Sequence, residues 1–104
     1  MGFFSNLFGG SNNNEAVKLA MDNGAFLVDV RGQFEFEAGS AKGAVNIPLD
    51  KIPSQIAKFK NKKSIVVFCR SGNRSAQAKI ILAQNGITNV TNGGTWHNVA
   101  SLQN

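Results

Sequence analysis

"SIVVFCRSGNRSAQAKIILAQNG", Ser64 to Gly86, carries most of what the chain says about its fold. Its opening, Ile65 to Cys69, is apolar and largely β-branched, with no polar alternation. That pattern marks a strand buried on both faces. The stretch from Arg74 onward is rich in helix formers and stops at Gly86. A buried strand running directly into a helix is the repeating unit of a parallel sheet covered on both sides. The junction, Cys69 to Ser75, is a short polar loop at the carboxyl end of the strand. Open parallel sheets bind their ligands outside those ends.

The same alternation continues on either side. "NEAVKLAMDNG", residues 14–24, reads as a short helix capped by Asn13 or Asn14 and closed by Asn23-Gly24. "AFLVDV", residues 25–30, suits a buried strand between Gly24 and Gly32. "QFEFEAG", residues 33–39, allows one or two helical turns. "GAVNIP", residues 43–48, is a short strand stopped by Pro48. "LDKIPSQIAKFK", residues 49–60, predicts a helix with Pro53 in its first turn and Ile52, Ile56 and Phe59 on one face. "TNVTNGG", residues 88–94, gives a last short strand and turn, and "TWHNVASL", residues 95–102, a final helical turn or two. The expected organisation is a flexible arm over residues 1–14 and one domain over residues 15–104.

Composition narrows the function classes. With 104 residues and 42% hydrophobic residues, the chain suits one domain with an ordinary core. Its one cysteine excludes an internal disulfide, so no oxidising compartment is implied and a cytoplasmic location is expected. No run approaches the length of a membrane span. "MGFFSNLF" lacks a basic n-region and a small-residue cleavage site. Asn6 stands where a myristoylation motif wants Ser or Thr. That segment is left three docking choices: a membrane surface, a partner, or its own domain. The net charge of +5 is scattered. Its one dense cluster, Lys58, Lys60, Lys62 and Lys63, reads as a solvated helix end, with attraction of small anions as the sharper reading. No nucleic-acid module is recognisable, so no nucleic-acid partner is expected.

The loop states its chemistry more directly. Gly72 lets the backbone curl, and successive N–H groups in such a curl cradle an anion. The helix that follows adds its positive end, and Arg70 and Arg74 reinforce the field. These features favour thiolate over thiol at Cys69, and a thiolate is a nucleophile. A phosphatase-type site needs Cys-x5-Arg to close around a phosphate. Here the sixth position after the cysteine is Ser75, and the arginine comes one residue early. A smaller cradle suits a smaller electrophile such as a sulfur atom. Asp29, Arg31 and Glu35 read as structural groups near the site: carboxylates that satisfy backbone N–H groups, with an arginine pairing at the sheet edge. His97 has no cysteine or second histidine nearby to share a metal, so no metal site is expected. Trp96 reads as a lid over the core.

Five ordered motifs together resemble the single-domain rhodanese family. They are "LVDVR" (27–31), "RGQFEF" (31–36), "GAVNIPL" (43–49), "CRSGNRSAQA" (69–78) and "NVTNGGTW" (89–96). The resemblance spans about residues 15–103. It implies a three-layer α/β fold, with helices on both faces of a parallel sheet of four to five strands. It also implies a thiosulfate sulfurtransferase with Cys69 as the catalytic nucleophile. The backbone of Arg70, Ser71, Gly72, Asn73, Arg74 and Ser75 would bind the donor sulfur, without a cofactor. The implied partners are a small anionic sulfur donor and a thiol or cyanide acceptor, which in the cell could be an acceptor protein. Two alternatives stand beside this reading: an arsenate reductase or phosphatase on the same scaffold, and a non-catalytic sulfur carrier or partner-docking module. Ser40-Ala41-Lys42 replaces the family's usual His-Ile-Pro. Trp96 also follows the glycines sooner than is usual.

Overall fold

The computed structural model describes residues 10–104. Its elements run in chain order: helix α1 (Gly10–Asp22), strand β1 (Phe26–Asp29), helix α2 (Gln33–Ala38), strand β2 (Val45–Asn46), a 3-10 segment (Leu49–Phe59), strand β3 (Ile65–Cys69), helix α3 (Asn73–Gln84), strand β4 (Val90–Thr95) and helix α4 (Trp96–Leu102). The four strands form one parallel sheet in the order β2-β1-β3-β4.

The central strand shows why the sheet has two covered faces. All five residues of β3 are buried, and successive side chains point to opposite sides. Ile65, Val67 and Cys69 join Val28, Val30, Ile52, Phe59, Ala78 and Leu82 in the core beneath the 3-10 segment and α3. Val66 and Phe68 pack on the other face with Val17 and Ala20 of α1 and Val99 of α4. The result is a three-layer α/β fold with four strands, the lower end of the expected range. Among the described residues no helix is long and apolar enough to cross a membrane.

Three local expectations change. Helix α1 begins at Gly10, earlier than expected, and is not capped by Asn13 or Asn14. Both asparagines are helical and held from outside: Asn13 Nδ2 donates to Asn92 O, and Asn14 Oδ1 accepts from Asn98 Nδ2. These tertiary bonds offset the poor helix propensity of asparagine. The remainder of the expected arm, residues 1–9, lies outside the described residues. The segment after Pro48 is 3-10 rather than α-helical, with a non-helical kink at Gln55. Pro53 lies inside the segment and has no N–H to donate to an α-helical ladder. Finally, the glycines of "TNGG" lie inside β4 rather than in a turn after it. Val67 pairs with Asn92 and Phe68 with Gly94, leaving Gly93 as the extra residue of a bulge.

Candidate active site

Cys69 is the last residue of β3 and carries no exposed surface. The chain then turns through Arg70, Ser71 and Gly72 into α3. Gly72 sits at φ 94°, a left-handed conformation that a side chain would strain. That turn aims backbone donors at the sulfur. The N–H of Gly72 donates to Cys69 Sγ at 3.0 Å and that of Ser75 at 3.4 Å. The Ser75 hydroxyl lies 3.5 Å from the sulfur. Burial alone would push the Cys69 thiol up. Hydrogen bonds from the Ser75 hydroxyl and from the backbone N–H groups of Ser75, Ser71 and Gly72 outweigh it, and the thiol titrates below its ordinary value.

The loop's remaining side chains divide by exposure. Arg70, Ser71 and Asn73 are exposed, and Arg70 pairs with no carboxylate among the described residues. Ser75 is wholly buried. The two arginines, expected to act alike on the sulfur, differ in environment. Arg74 makes a two-pronged ion pair with Glu35, Nη1 to Oε1 at 2.8 Å and Nη2 to Oε2 at 3.0 Å. Those bonds are the first cause that holds Arg74 above its ordinary value. The sulfur contributes only behind them. In return Glu35 is lowered to about 2, first by Arg74 against the opposing effect of its burial, with help from the Gly32 N–H. This pair ties α2 to the start of α3 across the mouth of the loop.

Asp29 and Arg31 form a separate buried unit at the end of β1. Asp29 accepts from the Arg31 N–H and Nε at 3.0 Å, from Arg31 Nη2 at 2.7 Å and from the Ser40 hydroxyl at 2.7 Å. Arg31 also donates to Gly39 O, and its guanidinium lies 5.1 Å from the Trp96 ring centroid. Trp96 packs against the α1/α4 side of the core and stacks on His97. The unusual Ser40-Ala41-Lys42 segment fits this unit. Ser40 supplies a bond to Asp29, Ala41 is buried, and Lys42 exchanges backbone bonds with the Gln103 side chain. Among the described residues no cluster of His, Cys, Asp and Glu could hold a metal.

Sequence reading passed over Asn92. Its Oδ1 accepts from the Ser75 hydroxyl at 2.7 Å and from the Gly94 N–H at 2.9 Å, while its Nδ2 donates to Gly72 O at 3.2 Å. Its one local signal was its place beside the glycine pair, which the bulge turns toward the loop. An open groove of about 470 Å³ runs past the Glu35–Arg74 pair, lined by Val30, Leu49, Pro53 and Ile81 among others.

Comparison with known proteins matches this chain to one family. The family model for the rhodanese-like domain matches residues 12–95. Thiosulfate sulfurtransferase PspE of Escherichia coli is 36% identical over 75 residues, covering 70% of this chain and 72% of that protein. A sulfurtransferase of Allochromatium vinosum is 35% identical over 75 residues, covering 72% and 70%. Among solved structures, a rhodanese with anions from E. coli superposes with a TM-score of 0.67 at 35% identity, covering 73% of this chain and 92% of that one. The human single-domain sulfurtransferase gives 0.68 at 28% identity, covering 86% and 93%.

Proposed function

The chain belongs to the rhodanese-like family, and from that premise we propose that it is a thiosulfate sulfurtransferase working through a persulfide on Cys69. The observation that carries the reading is the pair of N–H bonds to Sγ from Gly72 and Ser75. They favour the thiolate before any substrate arrives, and they face the place where a second sulfur would extend from the first.

Two displacements complete the cycle. The Cys69 thiolate attacks the outer sulfur of thiosulfate. The sulfur–sulfur bond of the donor breaks, and sulfite leaves with the electron pair. The persulfide sulfur keeps its negative charge inside the cradle of residues 70–75. An acceptor thiol, as its thiolate, or cyanide then attacks that outer sulfur and expels Cys69 as a thiolate. No cofactor takes part in either step. Arg70, exposed beside the loop, attracts the anionic donor, in keeping with a relative solved with anions. The groove past Glu35 and Arg74, beside the start of α3, is the surface on which a protein acceptor would dock. A chain with a single cysteine and hence no internal disulfide suits a reducing compartment, which also supplies acceptor thiols, so we propose a cytoplasmic location.

Intact mass tests the reading. Mixing with thiosulfate should add one sulfur atom, and cyanide should remove it as thiocyanate. An unchanged mass with the thiol still alkylatable would reject sulfur transfer from thiosulfate and favour the docking-module alternative.

A further inference from the structure

The Ser75 hydroxyl has one proton and three acceptors within reach. Asn92 Oδ1 lies at 2.7 Å, Gly72 O at 3.1 Å and Cys69 Sγ at 3.5 Å. The orientation of the Asn92 amide decides among them, and two backbone groups of fixed polarity set it. The Gly94 N–H can only donate, so it requires the amide oxygen. Gly72 O can only accept, so it requires the amide nitrogen. The oxygen therefore faces Ser75 at the shortest of the three distances, which favours a hydroxyl proton directed away from sulfur while Cys69 is a thiol. A lone pair on Ser75 Oγ is left facing Sγ, where it can accept the thiol proton.

The structure assigns Asn92 as a positioning residue that holds the Ser75 proton in the resting thiol and yields it to Sγ as the thiolate forms. The change is a rotation about the Ser75 C–O bond. The cysteine proton goes to solvent, the Ser75 O–H bond stays intact, and its hydrogen bond passes from Asn92 Oδ1 to the sulfur. The thiolate thus gains the Ser75 hydroxyl as a donor beside the backbone N–H groups of the loop, and Asn92 sets how readily that donor is released. Other charged groups near the loop are Arg70, Arg74 of α3, Glu35 of α2, and Asp29 and Arg31 at the end of β1. None of them hydrogen-bonds to Ser75 or to the Asn92 side chain. Strand β4 contributes no charged residue.

This assignment rests on Cys69 as the reacting thiol, but its test does not depend on sulfur transfer. The pH midpoint of iodoacetamide alkylation is measured for the full chain, for Asn92→Ala, for Ser75→Ala and for the double variant. Asn92→Ala should move the midpoint down by about half a pH unit, because a neutral hydrogen bond no longer competes with the sulfur. Ser75→Ala should move it up. In the Ser75→Ala background, removing Asn92 should change nothing. A shift of equal size with and without Ser75, or no shift in either, would mean that Asn92 only braces the loop. Asn92→Asp covers the case in which the alanine variant does not fold. It keeps the acceptor for the Gly94 N–H and grips the Ser75 proton more firmly, so it should raise the midpoint more when Ser75 is present than when it is absent. Equal rises would overturn the assignment. A protein that shows this coupling yet gains no sulfur from thiosulfate would reject the proposed function alone.

Discussion

Cys69 is buried, yet its thiol titrates below its ordinary value, and the difference lies in the hydrogen-bond donors that the loop offers the anion. Cys69→Ser should abolish sulfur transfer while leaving the fold intact, since a hydroxyl fits the same cradle but forms no persulfide. Turnover retained in that variant would end the proposal. Because the thiol is lowered, thiolate should already accumulate below the ordinary cysteine value of about 8.5. Alkylation should therefore rise with pH through a midpoint below that value, and a midpoint at 8.5 would mean the N–H bonds do not form in solution. The arginines should separate. Arg70 is exposed and carries its charge unopposed, whereas Arg74 shares its charge with Glu35. Arg70→Ala should raise KM for thiosulfate severalfold and more than for a neutral persulfide donor. Arg74→Ala should act on both donors alike, by loosening the loop. Steady-state kinetics with the two donors decides the matter.

Two elements position the site: the turn from β3 into α3 and the bulge in β4. The bulge depends on Gly93. A Cβ there would stand 2.6 Å from Val99 Cγ2 and 2.9 Å from Val66 Cγ1, both on packed side chains. Gly93→Ala should therefore destabilise the domain by ~1–3 kcal/mol, read as a lower urea midpoint. An unchanged midpoint would show that α4 can move away from the sheet. The clamp between α2 and α3 gives a second expectation. Glu35 is lowered from 4.5 to about 2, so its contribution is present above pH 4.5 and is lost as pH falls toward 2. The pair is about one-third exposed, so solvent screening limits the loss to about 1 kcal/mol or less. Glu35→Gln should flatten that part of the acid denaturation curve. These elements also mark what the sequence could and could not tell. Strand β3, the helix after it and the loop between were legible because apolar pattern, glycine placement and helix propensity agree locally over residues 64–86. The start of α1 was not, because Asn13 and Asn14 are held by partners 79 and 84 residues away. The Glu35–Arg74 pair spans 39 residues, and Asn92 meets Ser75 across 17. No local pattern encodes meetings of that kind.

At the scale of the molecule, all 104 residues hold one cysteine. A persulfide formed on it has no second thiol to discharge into, so the loaded protein should be isolable. After loading with thiosulfate and desalting, cyanide-releasable sulfur should persist until a thiol is added. Rapid loss without an acceptor would mean the cradle does not protect its cargo. The recessed position of Cys69, with no surface in the folded chain, has a further consequence between molecules. A disulfide needs its two sulfurs within about 2 Å of each other. Two copies of this domain cannot meet that distance without unpacking both loops. Air oxidation of a concentrated solution should therefore yield few covalent dimers. Small reagents should modify the thiol far faster than bulky ones of equal intrinsic reactivity. At Cys69, girth should then count before chemistry in deciding which reagents react.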